Sequence, residues 1–415
     1  MTLPSSIRTD GSRDLVVEGR SVEDGRPIRV SIAAGQIARI ERAAASAGPA
    51  SASAAMEDEG STSWISPGWL DIQVNGFEGH DPNAADAEAG ATSAMVRALW
   101  RHGVTGSCIT ICTESEEHIV HSLAAVAAAC EADPLTAASV VGIHVEGPHI
   151  AREDGPRGAH PLRHVRPPDV DEYRRWQMAA GGRIRIVTLS PEYDESIGYI
   201  EVLVADGVIA SIGHTTATSD QIRAAVDAGA TWSTHLGNGA HATIRRHPNY
   251  IWDQLAEDRL RAGFIFDGQH LPPAVMKSVV RAKGVERSIL VSDALFVAGL
   301  RPGVYQLPDG QPVELQPSGR LELQGTPLLA GAAAALPVGV ANAVRHAGVT
   351  LADACRMVSA NPARLLGLPS RAGHDSLRVG SAATLTVFRT AANGLEIDIR
   401  KTIVAGRVVH DADVA

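Results

Sequence analysis

The sequence is poor in cysteine and poorer still in lysine. Its 415 residues include four cysteines, without a Cys-x-x-Cys pair. A chain of this length builds a core without disulfide bonds, so we expect buried thiols in a reducing, cytoplasmic compartment. Of the 37 cationic residues 34 are arginine, and the only lysines are Lys277, Lys283 and Lys401. Any site that needs a lysine at another position is therefore excluded.

Net positive charge and long apolar runs are also missing. Lysine and arginine total 37 against 47 aspartate and glutamate residues, a formal net charge of −10. The chain lacks the broad cationic face of a nucleic-acid-binding protein, although a pocket for one phosphate remains compatible with it. The N-terminus does not follow the pattern of a signal peptide, and the most apolar stretch, 328–344, contains Pro337. We therefore predict no nucleic-acid partner and no membrane partner.

Short alternating segments near both ends predict a small β-sandwich domain built from the two termini. These segments lie at 13–42 and 381–410, and turn residues separate them. Between them and the middle of the chain, the small polar residues of 43–62 predict a surface loop. We place the small domain at 1–66 and 371–415 and a second, separate domain at 67–370.

The middle of the chain alternates between short β-rich apolar runs and amphipathic helical patterns. The eight runs lie at 64–74, 104–111, 140–145, 184–189, 208–212, 231–236, 262–266 and 288–291. One helical pattern begins with Thr218 or Ser219 as its N-cap, and another ends at Gly284. Eight strand–helix repeats predict an α/β fold in which a parallel sheet closes as a TIM-like (β/α)8 barrel.

Side chains that bind metals or transfer protons follow five of the eight runs. They are Glu146 and His149 after the third run, His214 after the fifth, His235 and Asn238 after the sixth, Asp267 and His270 after the seventh, and Asp293 after the eighth. In such a barrel the carboxyl ends of the strands meet at one rim, where active sites lie. One glutamate and two histidines at that rim predict a hydrolytic zinc site with an open position for water.

The motifs at these positions are similar to those of a known family. In order they read "SPGWLDIQVNG", "HVEGP", "GAHP", "IGHTTAT", "THLGN", "FDGQH", "LVSDA" and "NPAR". Over roughly residues 15–409 the chain resembles the N-acetylglucosamine-6-phosphate deacetylases of the amidohydrolase superfamily. The resemblance implies a metal-dependent enzyme that converts this amino sugar phosphate to glucosamine-6-phosphate and acetate.

The resemblance also implies roles for particular residues. The implied metal ligands are Glu146, His214 and His235, the implied catalytic groups are Asp293 (acid and base) and His160 (polarising the acetyl carbonyl), and the implied substrate contacts are Asn238, Gly239, His270 and Arg246. In this family the arginine at the phosphate comes from a neighbouring subunit, which implies a homodimer. Gly239 keeps the backbone open to the phosphate.

The number of metal ions follows from residues that are absent. Many amidohydrolases hold a second ion with a His-x-His pair after strand one and a carboxylated lysine after strand four. Here the pair is replaced by Gln73 and Asn75, whose neutral amides are poor zinc ligands, and no lysine lies near strand four. We predict one divalent ion per subunit, Zn²⁺. The alternative is a second, weakly bound ion bridged by Glu146.

Several residues around the expected substrate depart from the family pattern. Arg245, Arg246 and His247 could together hold a dianion, and the alternative is a solvated turn. His149 stands where an aromatic residue is common, and it either alters the pocket wall or lies near the metal. These departures leave N-acetylgalactosamine-6-phosphate or an unphosphorylated amide as alternative substrates. A catalytically inactive barrel is disfavoured, since no ligand is missing and Asp293 is present.

Overall fold

The chain begins with a small antiparallel meander. The computed structural model describes residues 15–42, 63–391 and 396–414, so the predicted loop at 43–62 lies outside the described residues. The meander consists of β1 (Leu15–Ser21), β2 (Pro27–Ala33) and β3 (Gln36–Arg42). A short strand, β4 (Trp64–Pro67), then pairs in parallel with β1. These strands form one half of a larger sheet.

Eight parallel strands, paired in chain order, form the centre of the fold. They are β5 (Trp69–Val74), β6 (Val104–Cys112), β7 (Val140–Glu146), β8 (Ile184–Leu189), β9 (Ile209–Ile212), β10 (Trp232–Ser233), β11 (Arg261–Ile265) and β12 (Ser288–Val291). Most of their residues are buried, because helices cover the outside of a parallel sheet. Strands β5 and β12 meet along a seam, where the Asp293 N–H donates to the Gln73 carbonyl over 2.9 Å. The predicted TIM-like barrel is confirmed.

Helices alternate with these strands. They are α1 (Ala89–Trp100), α2 (Glu116–Ala132), α3 (Pro134–Ser139), α4 (Val170–Ala179), α5 (Ser196–Ala205), α6 (Ser219–Asp227), α7 (Tyr250–Ala256), α8 (Pro273–Lys283), α9 (Leu336–Asn342), α10 (Leu351–Met357) and α11 (Ala360–Leu365). The Thr218 side chain accepts the Gln221 N–H and caps α6, as its sequence pattern predicts. Across the described ranges, no helix combines the length and apolar character that a membrane span needs.

The last strands return the chain to the first sheet. Between β12 and α9 the chain forms a separate three-stranded sheet of β13 (Gly303–Gln306), β14 (Pro312–Leu315) and β15 (Leu321–Leu323). Strands β16 (Leu385–Thr390), β17 (Ile397–Val404) and β18 (Arg407–Asp411) then complete a seven-stranded sheet in the order β18-β17-β16-β4-β1-β2-β3. A β structure built from both termini is thus confirmed. The domain boundaries themselves, 1–66 with 371–415 and 67–370, stay a prediction.

The first apolar run, 64–74, is divided between the two sheets at Gly68. Its backbone N–H donates to the Thr384 carbonyl over 2.9 Å, and a Cβ at position 68 would lie 2.3 Å from Thr105 Oγ1. Only glycine allows this approach, so the chain passes here from β4 into β5. The sequence pattern is apolar on both sides of Gly68 and therefore predicted one continuous strand.

A buried lysine stabilises the outer layer of the barrel. Lys283, on α8, donates from Nζ to the backbone carbonyls of Glu257 (2.7 Å) and Leu260 (2.9 Å), in the loop between α7 and β11. We predict that Lys283→Met lowers the free energy of unfolding by about 2–3 kcal/mol, because both carbonyls lose a charged donor. Urea denaturation measures this change. The matched control is Lys277→Met, at an exposed position of the same helix, and equal stability of the two variants would contradict the prediction.

Candidate metal centre

Three buried donor groups converge at the carboxyl end of the barrel. Glu146 is the last residue of β7, His214 lies two residues after β9, and His235 lies two residues after β10. Their possible ligand atoms all lie within 4.8 Å of one another. The structure therefore brings together the three side chains that the sequence predicts as ligands.

The distances within this group suit one ion. His235 Nε2 lies 2.9 Å and His214 Nε2 3.3 Å from Glu146 Oε1, and the two Nε2 atoms are 3.0 Å apart. His214 Nδ1 lies 2.8 Å from the Pro156 carbonyl oxygen, which only accepts hydrogen bonds. Nδ1 therefore carries a proton, so Nε2 is the nitrogen that gives up its own proton and offers a lone pair when a metal binds. Two imidazoles and one carboxylate are the donor set of a catalytic zinc ion with an open fourth position.

Glu146 is ionised although it is buried. Burial alone raises its pKa, but the hydrogen bonds and charges of His214 and His235 outweigh burial and hold the pKa well below its usual range. Gln73 Nε2 also donates to Glu146 Oε1 over 2.9 Å. The group therefore presents a fixed negative charge to a cation.

Strained backbone marks the same residues. The φ angles of His214, His235 and Asp293 are 48°, 29° and 51°, in the left-handed region that non-glycine residues rarely adopt. Such a conformation costs about 1–3 kcal/mol per residue and persists where the surrounding structure enforces it. Among the described residues only Ala34, Glu78 and Ala405 share it without being glycine. This concentration of strain indicates that the side-chain positions are functionally constrained.

Asp293 lies beside the metal ligands, on the seam of the barrel. Its Oδ1 accepts hydrogen bonds from Asn75 Nδ2 (2.8 Å) and Gln73 Nε2 (3.3 Å). No group within the described part of the chain hydrogen-bonds Oδ2, so this oxygen is available to a ligand. Burial and the nearby charge of Glu146 raise the pKa of Asp293 to about 6. A carboxyl group with this pKa can accept and return a proton near neutral pH.

Two further predicted histidines line the same cavity. His160 Nδ1 lies 2.8 Å from Thr113 Oγ1, and its ring packs edge-on against His214 with centroids 4.5 Å apart. Burial and then the charge of His214 lower the pKa of His160 to about 3, so this imidazole is neutral. His270 Nδ1 bonds Asp267 Oδ2 over 2.8 Å, which leaves Nε2 available for a ligand.

The cavity above these groups has a volume of about 530 Å³. Asn238 and Gly239 line it together with His270, as predicted. A Cβ at position 239 would lie 2.7 Å from His214 Nδ1, so the close approach requires glycine. Arg246 differs from the other predicted contacts, because it is exposed and does not line the cavity of its own chain.

His149 takes neither of the positions that the sequence left open. It is fully buried and its ring stacks on Trp176, with centroids 5.3 Å apart and an interplanar angle of 21°. It is not among the residues that line the cavity or the metal-ligand group. Both alternatives were therefore wrong, because the chain turns the side chain outward into the aromatic layer between barrel and helices.

Sequence reasoning also missed residues on the cavity wall. Asp81, Asn83 and Cys112 line the cavity, and the Cys112 thiol donates to Asn75 Oδ1 over 3.1 Å. Cys112 was expected to be an ordinary buried thiol. One signal could have identified it, since it is the last residue of β6 and therefore lies at the rim where the other site residues are found.

A (β/α)8 barrel with a glutamate, two histidines and a buried aspartate at its carboxyl rim is typical of a metal-dependent hydrolase. Comparison with known families agrees with this class. The amidohydrolase family matches residues 64–409, and the chain belongs to this family.

Individual proteins that are similar to this chain include several N-acetylglucosamine-6-phosphate deacetylases. The N-acetylglucosamine-6-phosphate deacetylase of Bacillus subtilis (strain 168) is 34% identical over 323 residues, which cover 77% of this chain and 79% of that protein. The Homo sapiens deacetylase of the same name is 34% identical over 361 residues, covering 85% and 84%. A Mycobacterium smegmatis N-acetyl-D-glucosamine-6-phosphate deacetylase variant, solved in complex with N-acetyl-D-glucosamine-6-phosphate, superposes with a TM-score of 0.82. It is 30% identical and covers 96% of this chain and 100% of that chain.

Loss of one predicted ligand should empty the metal site. We predict that zinc-loaded, dialysed protein holds about one equivalent of zinc and that His214→Ala holds less than about a tenth of that, since two remaining ligands bind zinc weakly. Elemental analysis measures the content. His121→Ala, at an exposed position of α2, is the control and should keep the wild-type content. Wild-type zinc in His214→Ala would remove His214 from the ligand set.

Proposed function

We propose that this chain hydrolyses the acetamide of N-acetylglucosamine-6-phosphate and releases acetate and glucosamine-6-phosphate. The observation that carries the proposal is the convergence of Glu146, His214 and His235 with Asp293 at one cavity. The family match supports amide hydrolysis, and the similar deacetylases support this substrate. We place the reaction in the cytoplasm.

The proposed cofactor is one Zn²⁺ per subunit, held by Glu146, His214 and His235. Gln73 and Asn75, in place of the usual second-site histidines, turn their amide N–H groups toward Glu146 and Asp293. An N–H group offers no lone pair to a metal, which supports a single ion. When bound, the ion supplies a Lewis acid that polarises the acetyl carbonyl.

Asp293 is the proposed proton carrier. Its Oδ1 is held by two amide donors, so Oδ2 takes the proton from the water that attacks the acetyl carbon. The same oxygen then gives the proton to the sugar nitrogen as the C–N bond breaks. One carboxyl group thus acts first as base and then as acid.

Neutral His160 completes the proposed chemistry at the carbonyl. The Thr113 hydroxyl has two acceptors within reach, His160 Nδ1 at 2.8 Å and the Glu146 carbonyl oxygen at 3.3 Å. We assign its hydrogen to the closer Nδ1, which places the imidazole proton on Nε2, where it donates to the acetyl carbonyl oxygen as negative charge develops there.

The sugar phosphate contacts extend the proposal to a homodimer. We assign His270 Nε2, the Asn238 side chain and the backbone at Gly239 to the sugar phosphate, since all three residues line the cavity. Arg246 is exposed outside its own cavity. We therefore assign its guanidinium to the phosphate in a second subunit's cavity, where a bidentate contact suits a dianion.

Acetate release from a panel of four substrates tests the function. The panel contains N-acetylglucosamine-6-phosphate, its galacto epimer and both sugars without phosphate, each assayed with zinc-loaded protein. We predict that phosphate raises kcat/KM by about 100-fold or more, because each charge-assisted hydrogen bond is worth about 1.5–3 kcal/mol. Equal rates with and without phosphate would refute the phosphate site, and no acetate from any sugar would refute the function.

Removal of the proposed proton carrier should leave the metal and abolish turnover. We predict that Asp293→Asn keeps its zinc and loses about 10²–10⁴-fold in kcat, the usual contribution of general acid–base catalysis. As the pH falls below the pKa of Asp293, this group becomes protonated and the wild-type rate should fall about tenfold per pH unit. A bound cation lowers the pKa of Asp293, so this fall should begin at pH 6 or below. Near-wild-type turnover in Asp293→Asn would contradict the assignment.

A further inference from the structure

The hydrogen bond from Asn75 to Asp293 depends on how the Asn75 carboxamide is turned. Asn75 is 3% exposed, and its Nδ2 lies 2.8 Å from Asp293 Oδ1. A carboxamide has a donor side and an acceptor side of nearly equal shape. If it were turned over, Oδ1 would face the carboxylate and repel it. A donor on the opposite side of the amide, facing Oδ1, would therefore strengthen the preference for the donating orientation.

The Cys112 thiol is the group that contacts the opposite side of this amide. Its Sγ lies 3.1 Å from Asn75 Oδ1, at the distance of an S–H donor to an oxygen. A thiol keeps its proton at neutral pH, and burial raises the pKa of the Cys112 thiol further. A protonated thiol donates to an oxygen and favours the orientation in which Oδ1 faces it.

The Asn83 side chain fixes the distance between these two residues. The Cys112 N–H donates to Asn83 Oδ1 over 2.8 Å, and Asn83 Nδ2 donates to the Asn75 carbonyl over 3.1 Å and to the Thr110 carbonyl over 3.0 Å. The pairing of β5 with β6 is irregular just before this point. One carboxamide thus joins the ends of the two strands where the regular pairing stops.

We propose that Cys112 is a positioning residue, whose S–H bond to Asn75 keeps the Asn75 amide donating to Asp293. In this role the Cys112 side chain acts only through Asn75, although the backbone of Cys112 is paired with that of Glu146 where β6 adjoins β7. The inference rests on the proposed function of Asp293 as proton carrier. In this role the Cys112 thiol contributes to amide hydrolysis while it remains a free thiol.

A pair of variants that differ by one hydroxyl group tests the proposal. Cys112→Ala removes the donor and Cys112→Ser retains one, while Cys130→Ala, a buried thiol on α2, serves as control. We predict that Cys112→Ala loses about fivefold in kcat with KM and zinc content unchanged, as expected for one neutral hydrogen bond. Cys112→Ser should stay within about twofold of wild type, and the control should match wild type.

A double-mutant cycle asks whether the thiol acts through Asn75. In the Asn75→Ala background, Cys112→Ala should change kcat by less than about 1.5-fold, because the intermediary is already missing. The same fivefold loss in both backgrounds would overturn the proposal. So would wild-type kcat in Cys112→Ala, or equal losses in the alanine and serine variants.

Crystal structures of the two Cys112 variants give a readout that needs no substrate. In Cys112→Ala the contact between Asn75 Nδ2 and Asp293 Oδ1 should be lost or divided between two amide orientations, and in Cys112→Ser it should remain. An unchanged single orientation in Cys112→Ala overturns the positioning role. Wild-type protein that releases no acetate in the parallel assay instead refutes the proposed function and leaves this structural outcome to decide the positioning role.

Discussion

The buried carboxylate of Glu146 is the constraint around which the rim is arranged. An ionised carboxylate inside a protein is costly unless several donors and a positive charge compensate it. Here His214, His235 and Gln73 all direct nitrogen atoms at Oε1, from the ends of three other strands or the loops that follow them. Their backbone must therefore hold fixed positions relative to β7. Both histidines have positive φ angles, a strained backbone conformation that the surrounding structure enforces and that places their side chains at Glu146.

The seam of the barrel serves closure and chemistry with the same residues. The Asp293 N–H bonds the Gln73 carbonyl, and the Asp293 side chain bonds the Gln73 and Asn75 amides. Asp71, two residues before Gln73, accepts the N–H of Ser292, the residue before Asp293, at its Oδ1 over 3.2 Å. Asp293 thus takes part in the hydrogen bonds that join the first and last strands of the barrel. Its position is therefore set by the fold rather than by a mobile loop.

The sequence predicted the barrel and the three side chains that converge at its rim, because both depend on local order along the chain. Alternating runs indicate the strands, and the residue types after each run indicate the rim. It did not predict features that depend on the path of the chain in three dimensions. The division of the chain at Gly68 leaves the apolar sequence pattern unbroken. The side chain of His149 turns outward shortly after β7, and the Cys112 thiol at the end of β6 contacts Asn75, which follows β5. For Arg246 the pattern predicts a phosphate contact, whereas the side chain is exposed outside the cavity of its own chain.

The side-chain amides of Gln73 and Asn75, at the end of β5, bear both on the number of metal ions and on the protonation of Asp293. Glu146 and Asp293 are both buried acids, and the charge of Glu146 raises the pKa of Asp293. Gln73 Nε2 lies within hydrogen-bond distance of both, 2.9 Å from Glu146 and 3.3 Å from Asp293. An amide nitrogen stabilises two carboxylates without competing for the ion, whereas an imidazole there would offer a lone pair to a second ion. A site with these amides therefore stabilises both carboxylates by hydrogen bonding and offers a second ion no imidazole lone pair at these two positions.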